Sequence, residues 1–236
     1  MQSVVDDKNG LIIQADATDS PTDHKQLSKQ INYAQEIIGK KCDVACADAG
    51  YSDVDDLKEL DDQGIHVVVP NQAQASDKEP KPFSKKEFIY DETRDQYQCP
   101  EGHSLRKSSY NKRKNQYSYR ITSKKLCKGC RHYGQCTTDR KGRTIKRLVN
   151  EKLRNKLAAQ YETPEDQEIY TRRKTRAEHP FGHIKNNLGI KNFLLRGTEG
   201  AQAEVSVTST CFNIARMITL LGGVPSLVAK LVALKG

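Results

Sequence analysis

The sequence predicts an α/β fold: a mixed sheet with flanking helices, interrupted by a small Cys-rich insertion. Strand-like and helix-like segments alternate through the first 70 residues in the order ββ, α, β, α, β, which is typical of a partly parallel sheet covered by helices. A polar, basic stretch with a group of cysteines follows, and helical patterns then return. We therefore expect the first part of the core at 1–70, the insertion at 71–150, helices that complete the core at 151–222, and a tail at 223–236.

The first predicted element is a β-hairpin. Two short β-type runs flank Asn9 and Gly10, a dipeptide that favours a tight turn. Apolar residues then recur at helical spacing from Leu27 to Ile38, and Gly39 ends the run, which indicates an amphipathic helix. The remaining predicted elements of this part are strands at 42–47 and 65–69 and a helix at 54–60.

Three helices are predicted after the insertion, the first at 153–161. The second begins at Thr163, because Thr is a good helix cap and a Pro follows at the first helical position. Pro180 predicts a kink or a restart of this helix just after Glu178. The last helix, at 203–220, is so rich in apolar residues that we expect it to be largely buried.

The charge of the chain indicates a polyanionic partner. Lys and Arg number 39 against 30 Asp and Glu, which gives a formal charge of +9, and the excess is concentrated between Lys78 and Arg196. A surface rich in Lys and Arg gains affinity for phosphates through counterion release, so nucleic acid fits best. The alternative is a solvated basic surface without a partner.

Cysteine usage and hydropathy predict a cytoplasmic protein. Seven Cys without a charged and apolar leader segment argue against secretion and against a disulfide framework. The most apolar stretch, 217–234, is interrupted by glycines, a proline and a lysine, so we expect no membrane span. In a bacterial-type cell, such a protein would be associated with the nucleoid when it is bound to DNA.

Four cysteines of the insertion form a predicted zinc site. A Cys-x-x-Cys pair with Gly in its turn is followed by a third Cys six residues later, and a fourth lies 28 residues upstream. Four soft ligands suit tetrahedral Zn²⁺. The competing interpretation is a group of free thiols; a redox-active pair fits less well, because no thioredoxin-like strand and helix flank it. The predicted ligands are Cys99, Cys127, Cys130 and Cys136, with His103 and His132 as substitutes.

Two carboxylates are candidates for catalysis. Asp48 directly follows a predicted strand, at the sheet edge where open α/β folds place their ligand chemistry. Glu178 lies in a basic helical stretch, and Lys185, two turns further on, projects from the same face. Each has a simpler interpretation, Asp48 as a turn residue and Glu178 as a surface residue that balances nearby arginines.

Taken together, these segments resemble a known family. The segment Ala47-Asp-Ala-Gly-Tyr51 follows a strand, and the pattern Tyr-x2-Arg-x4-Glu-His-Pro-Phe-Gly-x-Ile-Lys runs from Tyr170 to Lys185. With the Cys-bearing insertion between them, they resemble DDE-type insertion-sequence transposases, which have a ribonuclease H-like fold. One departure is the spacing from Arg173 to Glu178, which has four intervening residues where the related signature has three.

The resemblance implies a metal-dependent reaction on the ends of a transposon. In such transposases carboxylates hold two Mg²⁺ (or Mn²⁺) ions, which support DNA cleavage and strand transfer. Asp48 matches the second carboxylate of the set and Glu178 the third. Basic residues of the same region would position the DNA through its phosphates. The matching residues are Arg173, Arg176, Lys185 and Lys191.

The first carboxylate of the set has no match. In this fold it lies on the first core strand, ahead of the hairpin with which the sequence opens, so we expect a fragment that lacks this strand and is inactive alone. Asp6 and Asp7 lie at the wrong end of the hairpin for a shared site. Asp16 and Asp23 are placed where either could approach the site, but neither is predicted on the required strand. The alternative is a non-catalytic, zinc-containing DNA-binding protein derived from a transposase. Whether two copies form a homodimer stays open.

Overall fold

The computed structural model describes residues 1–20, 22–76, 79 and 82–234. The chain forms two compact units. The first unit comprises residues 1–72 together with the residues from 156 onward, and the second comprises residues 73–155.

The first unit opens with the predicted hairpin. Strand β1 (Gln2–Val5) pairs antiparallel with β2 (Ile12–Asp16), and Ser3 lies opposite Ala15. Gly10 lies in the connection with a φ of +71°, a conformation that glycine adopts without steric cost. The hairpin is therefore confirmed.

Helices and strands then alternate as predicted. Helix α1 (Leu27–Ile38) ends at Gly39, whose φ is +66°. Strand β3 (Val44–Cys46) pairs parallel with β4 (His66–Val68), and helix α2 (Val54–Asp62) connects the two. The predicted order ββ, α, β, α, β is thus confirmed.

The buried carboxylate of Asp56 joins α2 to the start of α1. It accepts hydrogen bonds from the backbone N–H of Leu27 at 2.9 Å and from the hydroxyl of Ser28. The first turn of a helix leaves backbone donors unpaired and carries the positive end of the helix dipole. Asp56 therefore stabilises α1 while it holds the two helices together.

The strands of the first unit form two separate pairs. Within the described residues, β1–β2 and β3–β4 are each two-stranded sheets. The α/β class is confirmed, whereas the single mixed sheet that we expected is not formed. Both pairs pack against helix α5 (Pro164–Asn186), which contacts β1, β3 and β4. This helix therefore holds the two pairs together.

Helix α5 begins where the sequence predicts but does not restart. The hydroxyl of Thr163 accepts a hydrogen bond from the backbone N–H of Asp166 at 3.3 Å, which confirms the predicted cap. The helix then continues through Pro180, so of the two predicted outcomes the restart is not formed, and the kink stays a prediction. Pro180 is buried, and packing around its ring outweighs the loss of one backbone hydrogen bond.

Helix α6 (Gly197–Leu220) is less buried than predicted. A narrow stripe that includes Val205 and Phe212 is buried, whereas Val207 is 64% exposed. The expectation of a largely buried helix is therefore wrong, because the unit covers only one side of α6. The other C-terminal helices are α4 (Glu151–Tyr161) and α7 (Val224–Ala233), and α7 lies in the segment predicted as a tail.

A small apolar core joins the hairpin to α5 and α6. Ile12 of β2, Ile184 of α5 and Phe212 of α6 form one buried cluster, with exposures of 5%, 5% and 1%. Met1 and Val5 pack against it. The late part of α5, which carries Glu178, is therefore anchored on the hairpin side of the unit.

The second unit is built on a five-stranded antiparallel sheet with the order β5-β6-β7-β8-β9. The sequence prediction assigned no strands here. The core on one face of the sheet consists of Phe88, Tyr97, Leu105, Tyr119, Ile121 and Ile145. The elements are β5 (Ile89–Asp91), β6 (Gln96–Gln98), β7 (Ser104–Asn111), β8 (Gln116–Ile121), helix α3 (Lys124–Lys128) and β9 (Thr144–Leu148).

No single helix in the described part of the chain combines the length and apolar character needed to cross a membrane. Helices α6 and α7 meet that condition only when taken together, and they are bent by 100° relative to each other.

Candidate functional site

Asp48 lies where the sequence predicts, at the carboxyl end of β3. It caps a short 3-10 helix at Ala49–Tyr51, and its Oδ1 accepts a hydrogen bond from the backbone N–H of Gly50 at 2.8 Å. This is the turn chemistry that the simpler interpretation expected. One carboxylate oxygen is therefore engaged locally in the turn.

A second carboxylate, Asp23, lies beside Asp48. A Cβ atom placed on Gly50 would lie 2.9 Å from Asp48 Oδ1 and 3.0 Å from Asp23 Oδ2, so both side chains line the same glycine. Asp23 Oδ1 also accepts a hydrogen bond from Gln2 Nε2 at 2.9 Å. Gln2 is 5% exposed, and its Oε1 is buried without a hydrogen-bond partner among the described residues.

Asp23 was one of two aspartates expected to be able to approach the site, but the sequence alone does not pair it with Asp48. Asp23 lies between β2 and α1, in a segment that the sequence marks only as caps and turns ahead of the helix. A long-range return of this segment to the end of β3 brings the two carboxylates together. The only local sequence signal for this contact is Gly50, because the absence of a Cβ atom there leaves room for both carboxylates.

Tyr51 reports on the electrostatics of this site. Burial and, to a smaller extent, the charges of Asp23 and Asp48 raise the pKa of its hydroxyl to about 12, and the charge of Arg173 opposes this shift. Arg173 of α5 is thus close enough to act on the same group as the two aspartates. The phenol therefore stays protonated at neutral pH and can donate a hydrogen bond.

Glu178 is exposed on α5, and it belongs to no group of three or more possible metal ligands among the described residues. Its neighbours in sequence point elsewhere, since the rings of His179 and His183 lie 5.9 and 5.4 Å from that of Phe212. The structure therefore confirms that Glu178 lies on a helix, and its place in one site with Asp48 stays a prediction.

The basic residues chosen from the sequence differ in exposure. Arg173 is half-buried, with its guanidinium 5.1 Å from the ring of Tyr170, and its Nε is buried without a hydrogen-bond partner among the described residues. Arg176 is also half-buried, whereas Lys185 and Lys191 are exposed. The two lysines are thus accessible to a large partner, and Arg173 faces the interior of the unit.

The four cysteines of the predicted zinc site line one cavity of the second unit. Its volume is about 30 Å³, which is room for about one water molecule or ion. All four thiols are free and half-buried. Among the described residues, however, no three His, Cys, Asp or Glu side chains are grouped as metal ligands. The lining includes Cys99, Cys127, Cys130, Cys136, His103 and His132.

Backbone geometry around the cavity orients two of the thiols. The N–H of His132 donates to Cys130 Sγ and that of Arg143 donates to Cys127 Sγ, both at 3.4 Å. Burial raises the pKa of the Cys136 thiol, with Arg143 opposing this. The other three cysteines also raise that pKa, which shows that the four sulfur atoms share one environment.

A family model described as a transposase DDE domain matches residues 98–218, just over half of the chain, and the chain therefore belongs to the DDE transposase family. No curated protein and no solved structure matches. The resemblance seen in the sequence is thus confirmed, and it implies action on DNA. Glu178 lies within the matched range and Asp48 outside it.

Members of this family typically use a divalent metal such as Mg²⁺. Mg²⁺ demands near-octahedral coordination by oxygen ligands, and two such ions need several carboxylates. Asp23 and Asp48 approach each other at Gly50, but no third acidic side chain of the described residues joins them. The carboxylates in this arrangement therefore do not fit a two-metal site.

Proposed function

We propose that this chain is the DNA-binding part of a transposase catalytic domain and that, by itself, it does not cleave DNA. The observation that carries the proposal is that the chain is strongly basic but does not gather its acidic side chains into a metal site. The formal charge is +9, whereas the described residues offer no group of three acidic side chains at one point. Counterion release favours DNA binding without any metal. Cleavage in this family depends on a complete carboxylate set.

Asp48 and Glu178 are proposed as two members of that set. Asp48 is supported by its position at the end of a parallel strand, and Glu178 by the family match and by its helix, which packs on both strand pairs. Lys185 and Lys191 are exposed at the end of α5 and just beyond it, so both can reach DNA phosphates. Arg173 and Arg176 are proposed as weaker contributors, because they are half-buried.

The test combines binding and cleavage by the purified chain. A labelled duplex of random sequence should bind with an affinity that falls steeply with salt, and a supercoiled plasmid with Mg²⁺ or Mn²⁺ should remain intact. Metal-dependent nicking that disappears in Asp48→Asn and Glu178→Gln, but not in the exposed control Glu165→Gln, would overturn the proposed inactivity. Absence of duplex binding at low salt would overturn the DNA-binding role.

We also propose that the four cysteines bind one structural Zn²⁺. The support is their shared cavity, with room for about one ion, and the soft, tetrahedral ligand set that their spacing offers. Because the thiols are not grouped as ligands in this arrangement, metal binding would draw them together. It would then connect the turn at Cys99, helix α3 and the loop at Cys136, which are far apart in the sequence of this unit.

Metal analysis of protein purified without chelators tests the zinc site. We expect about one zinc per chain, which is lost in Cys136→Ser and retained in the control Cys211→Ser, because Cys211 is exposed on α6. Cobalt substitution should give a thiolate-to-metal absorption band in the wild type. Zinc-free protein that is equally stable in the presence of a chelator would contradict the proposal.

A second candidate function is a non-catalytic, zinc-containing DNA-binding protein derived from a transposase. The cysteine cavity favours it, because a metal-stabilised basic module binds DNA without using Asp48 or Glu178. The two candidates differ at α5. Replacing Lys185 and Lys191 by Gln weakens DNA binding if the transposase core contacts DNA, and leaves it unchanged if only the cysteine-containing unit does.

A further inference from the structure

The face of the five-stranded sheet that points away from the core is cationic. Side chains alternate between the two faces of a strand. Leu105 and Tyr119 face the core, so Arg106 on β7 and Arg120 on β8 project from the other face, where both are exposed. Lys146 on β9 projects from this face too, since its neighbour Ile145 is buried. We call Arg106, Arg120 and Lys146 the cationic sheet face.

Two of these cations oppose each other directly. Arg106 pairs with Arg120 across β7 and β8 in the sheet register. Like charges at directly opposed positions destabilise a sheet. In the described part of the chain, neither arginine has an ion pair or a side-chain hydrogen bond, and Lys146 has none either. The arrangement is therefore unfavourable until an anion lies between the side chains.

The rest of this face does not neutralise the three cations. The row of residues across the sheet continues with Gln96 on one side and Thr144 on the other, and both are uncharged. Asp91 ends the row on the edge strand, but it is turned toward its own loop. Its carboxylate accepts hydrogen bonds from the backbone N–H groups of Thr93 and Arg94. The charge of the face is thus left for an external partner.

The shape and composition of the face favour duplex DNA over single strands. Adjacent strands lie about 5 Å apart, so the three cations span about 10 Å, which is the scale of a groove of B-DNA. Recognition of single strands uses exposed aromatic rings as stacking platforms. Tyr110 and Tyr117 stack on each other on the core side of the sheet. The cationic sheet face itself has no aromatic side chain among the described residues of β6 to β9.

We infer that the cationic sheet face binds the sugar–phosphate backbone of duplex DNA, with Arg106 and Arg120 on phosphates of one groove edge and Lys146 toward the other. The inference rests on the proposed DNA-binding function and assigns a surface to it. Side chains of Gln96, Ser118 and Thr144 on the same face add hydrogen-bond donors for phosphate oxygens. Base sequence is not read by these contacts, so binding through this face is independent of sequence.

The test is fluorescence anisotropy with a labelled duplex over a series of salt concentrations. The variant carries Arg106→Gln, Arg120→Gln and Lys146→Gln, and the matched control carries Lys124→Gln, Lys125→Gln and Lys128→Gln, three exposed lysines of α3. We expect the sheet-face variant to bind about tenfold or more weakly at 0.1 M salt and to lower the magnitude of the slope of log K against log salt by about 3, one for each phosphate contact removed. The control should change both quantities much less.

Thermal unfolding of the same variants shows whether a loss of binding is caused by a loss of folded structure. Removal of opposed like charges should leave the melting temperature of the sheet-face variant unchanged or raise it. Equal losses in the two triple variants, or wild-type affinity and salt slope in the sheet-face variant, would overturn the inference while the DNA-binding function stands. Tighter binding of single-stranded RNA than of duplex DNA would also overturn it. Failure of the wild type to bind any duplex would instead remove the proposed function.

Discussion

His66 Nε2 lies 2.7 Å from Asp166 Oδ1, which joins the start of β4 to the first turn of α5 across 100 residues of sequence. Asp166 is 2% exposed, so its carboxylate is held almost entirely inside the unit. It lies three residues after the cap Thr163, where the positive end of the helix dipole favours a negative charge. This pair therefore fixes the helix that carries Glu178 to the parallel strand pair.

Replacement of Asp166 by Ala should destabilise the first unit. The change removes a hydrogen bond to a charged group and a favourable charge at a helix N-terminus, so we expect the free energy of unfolding to fall by about 1 to 3 kcal/mol. Urea denaturation measures this loss. The control is Glu165→Ala, an exposed acid of the same turn, which should lose less than about 1 kcal/mol. Equal losses would show that the pair with His66 contributes nothing.

Phe212→Ala should have the largest effect of a single change in the first unit. Phe212 is 1% exposed and packs with Ile12 and Ile184, so truncation leaves a cavity between three elements. We expect a loss of about 3 to 5 kcal/mol in the free energy of unfolding. Val207→Ala, on the exposed side of the same helix, should stay within about 0.5 kcal/mol. A loss below about 1 kcal/mol for Phe212→Ala would contradict the packing described above.

Local signals in the sequence predicted the elements that depend on neighbouring residues. The hairpin follows from its Asn-Gly turn, α1 ends at a glycine with positive φ, and α5 begins at the cap Thr163. Each of these features depends on residues within one or two turns of the chain. Asp48 at the end of β3 was predicted for the same reason.

Features that depend on distant contacts were predicted only in part or missed. Asp23 was expected only to be able to approach the site, and its place beside Asp48 depends on the segment before α1, which folds back to the end of β3. Helix α6 has apolar residues on several sides. Which of these sides is buried depends on how many other elements pack against the helix, and the sequence does not show that number. The cation row at Arg106 and Arg120 depends on strand register, which was invisible while β7 and β8 were unassigned.

Asp95 should make the second unit less stable at acidic pH. Hydrogen bonds from the hydroxyls of Tyr119 and Tyr90 lower the pKa of Asp95 to about 2, and Lys107 lies 3.0 Å from the other oxygen. Because the pKa is lowered by folding, its contribution is fully present above the unfolded value of about 3.9 and is lost as the pH falls toward 2. The melting temperature of Asp95→Asn should therefore lie below that of the wild type at pH 6.

The difference between wild type and Asp95→Asn should shrink between about pH 4 and about pH 2. Tyr90→Phe is a useful companion variant, because it removes one of the two hydroxyl donors and keeps the carboxylate. Its acid transition should begin at a higher pH than that of the wild type, since the carboxylate is then less stabilised. A constant difference over the whole pH range would show that Asp95 contributes through packing and not through its charge.

Gly142→Ala should destabilise the second unit next to the cysteine cavity. Gly142 has a φ of +83°, and an added Cβ would lie 2.5 Å from Ile121 Cγ2 and 3.3 Å from Cys127 Sγ. Backbone strain alone should lower the free energy of unfolding by about 1 kcal/mol, and the clash with the buried side chain of Ile121 adds to it. Gly134→Ala is the matched control, because Gly134 also has positive φ, +94°, but nothing within 4 Å of the added atom. Thermal unfolding should show a clearly larger loss for Gly142→Ala than for Gly134→Ala, and similar losses would mean that the chain at Gly142 yields without disturbing Ile121 or Cys127.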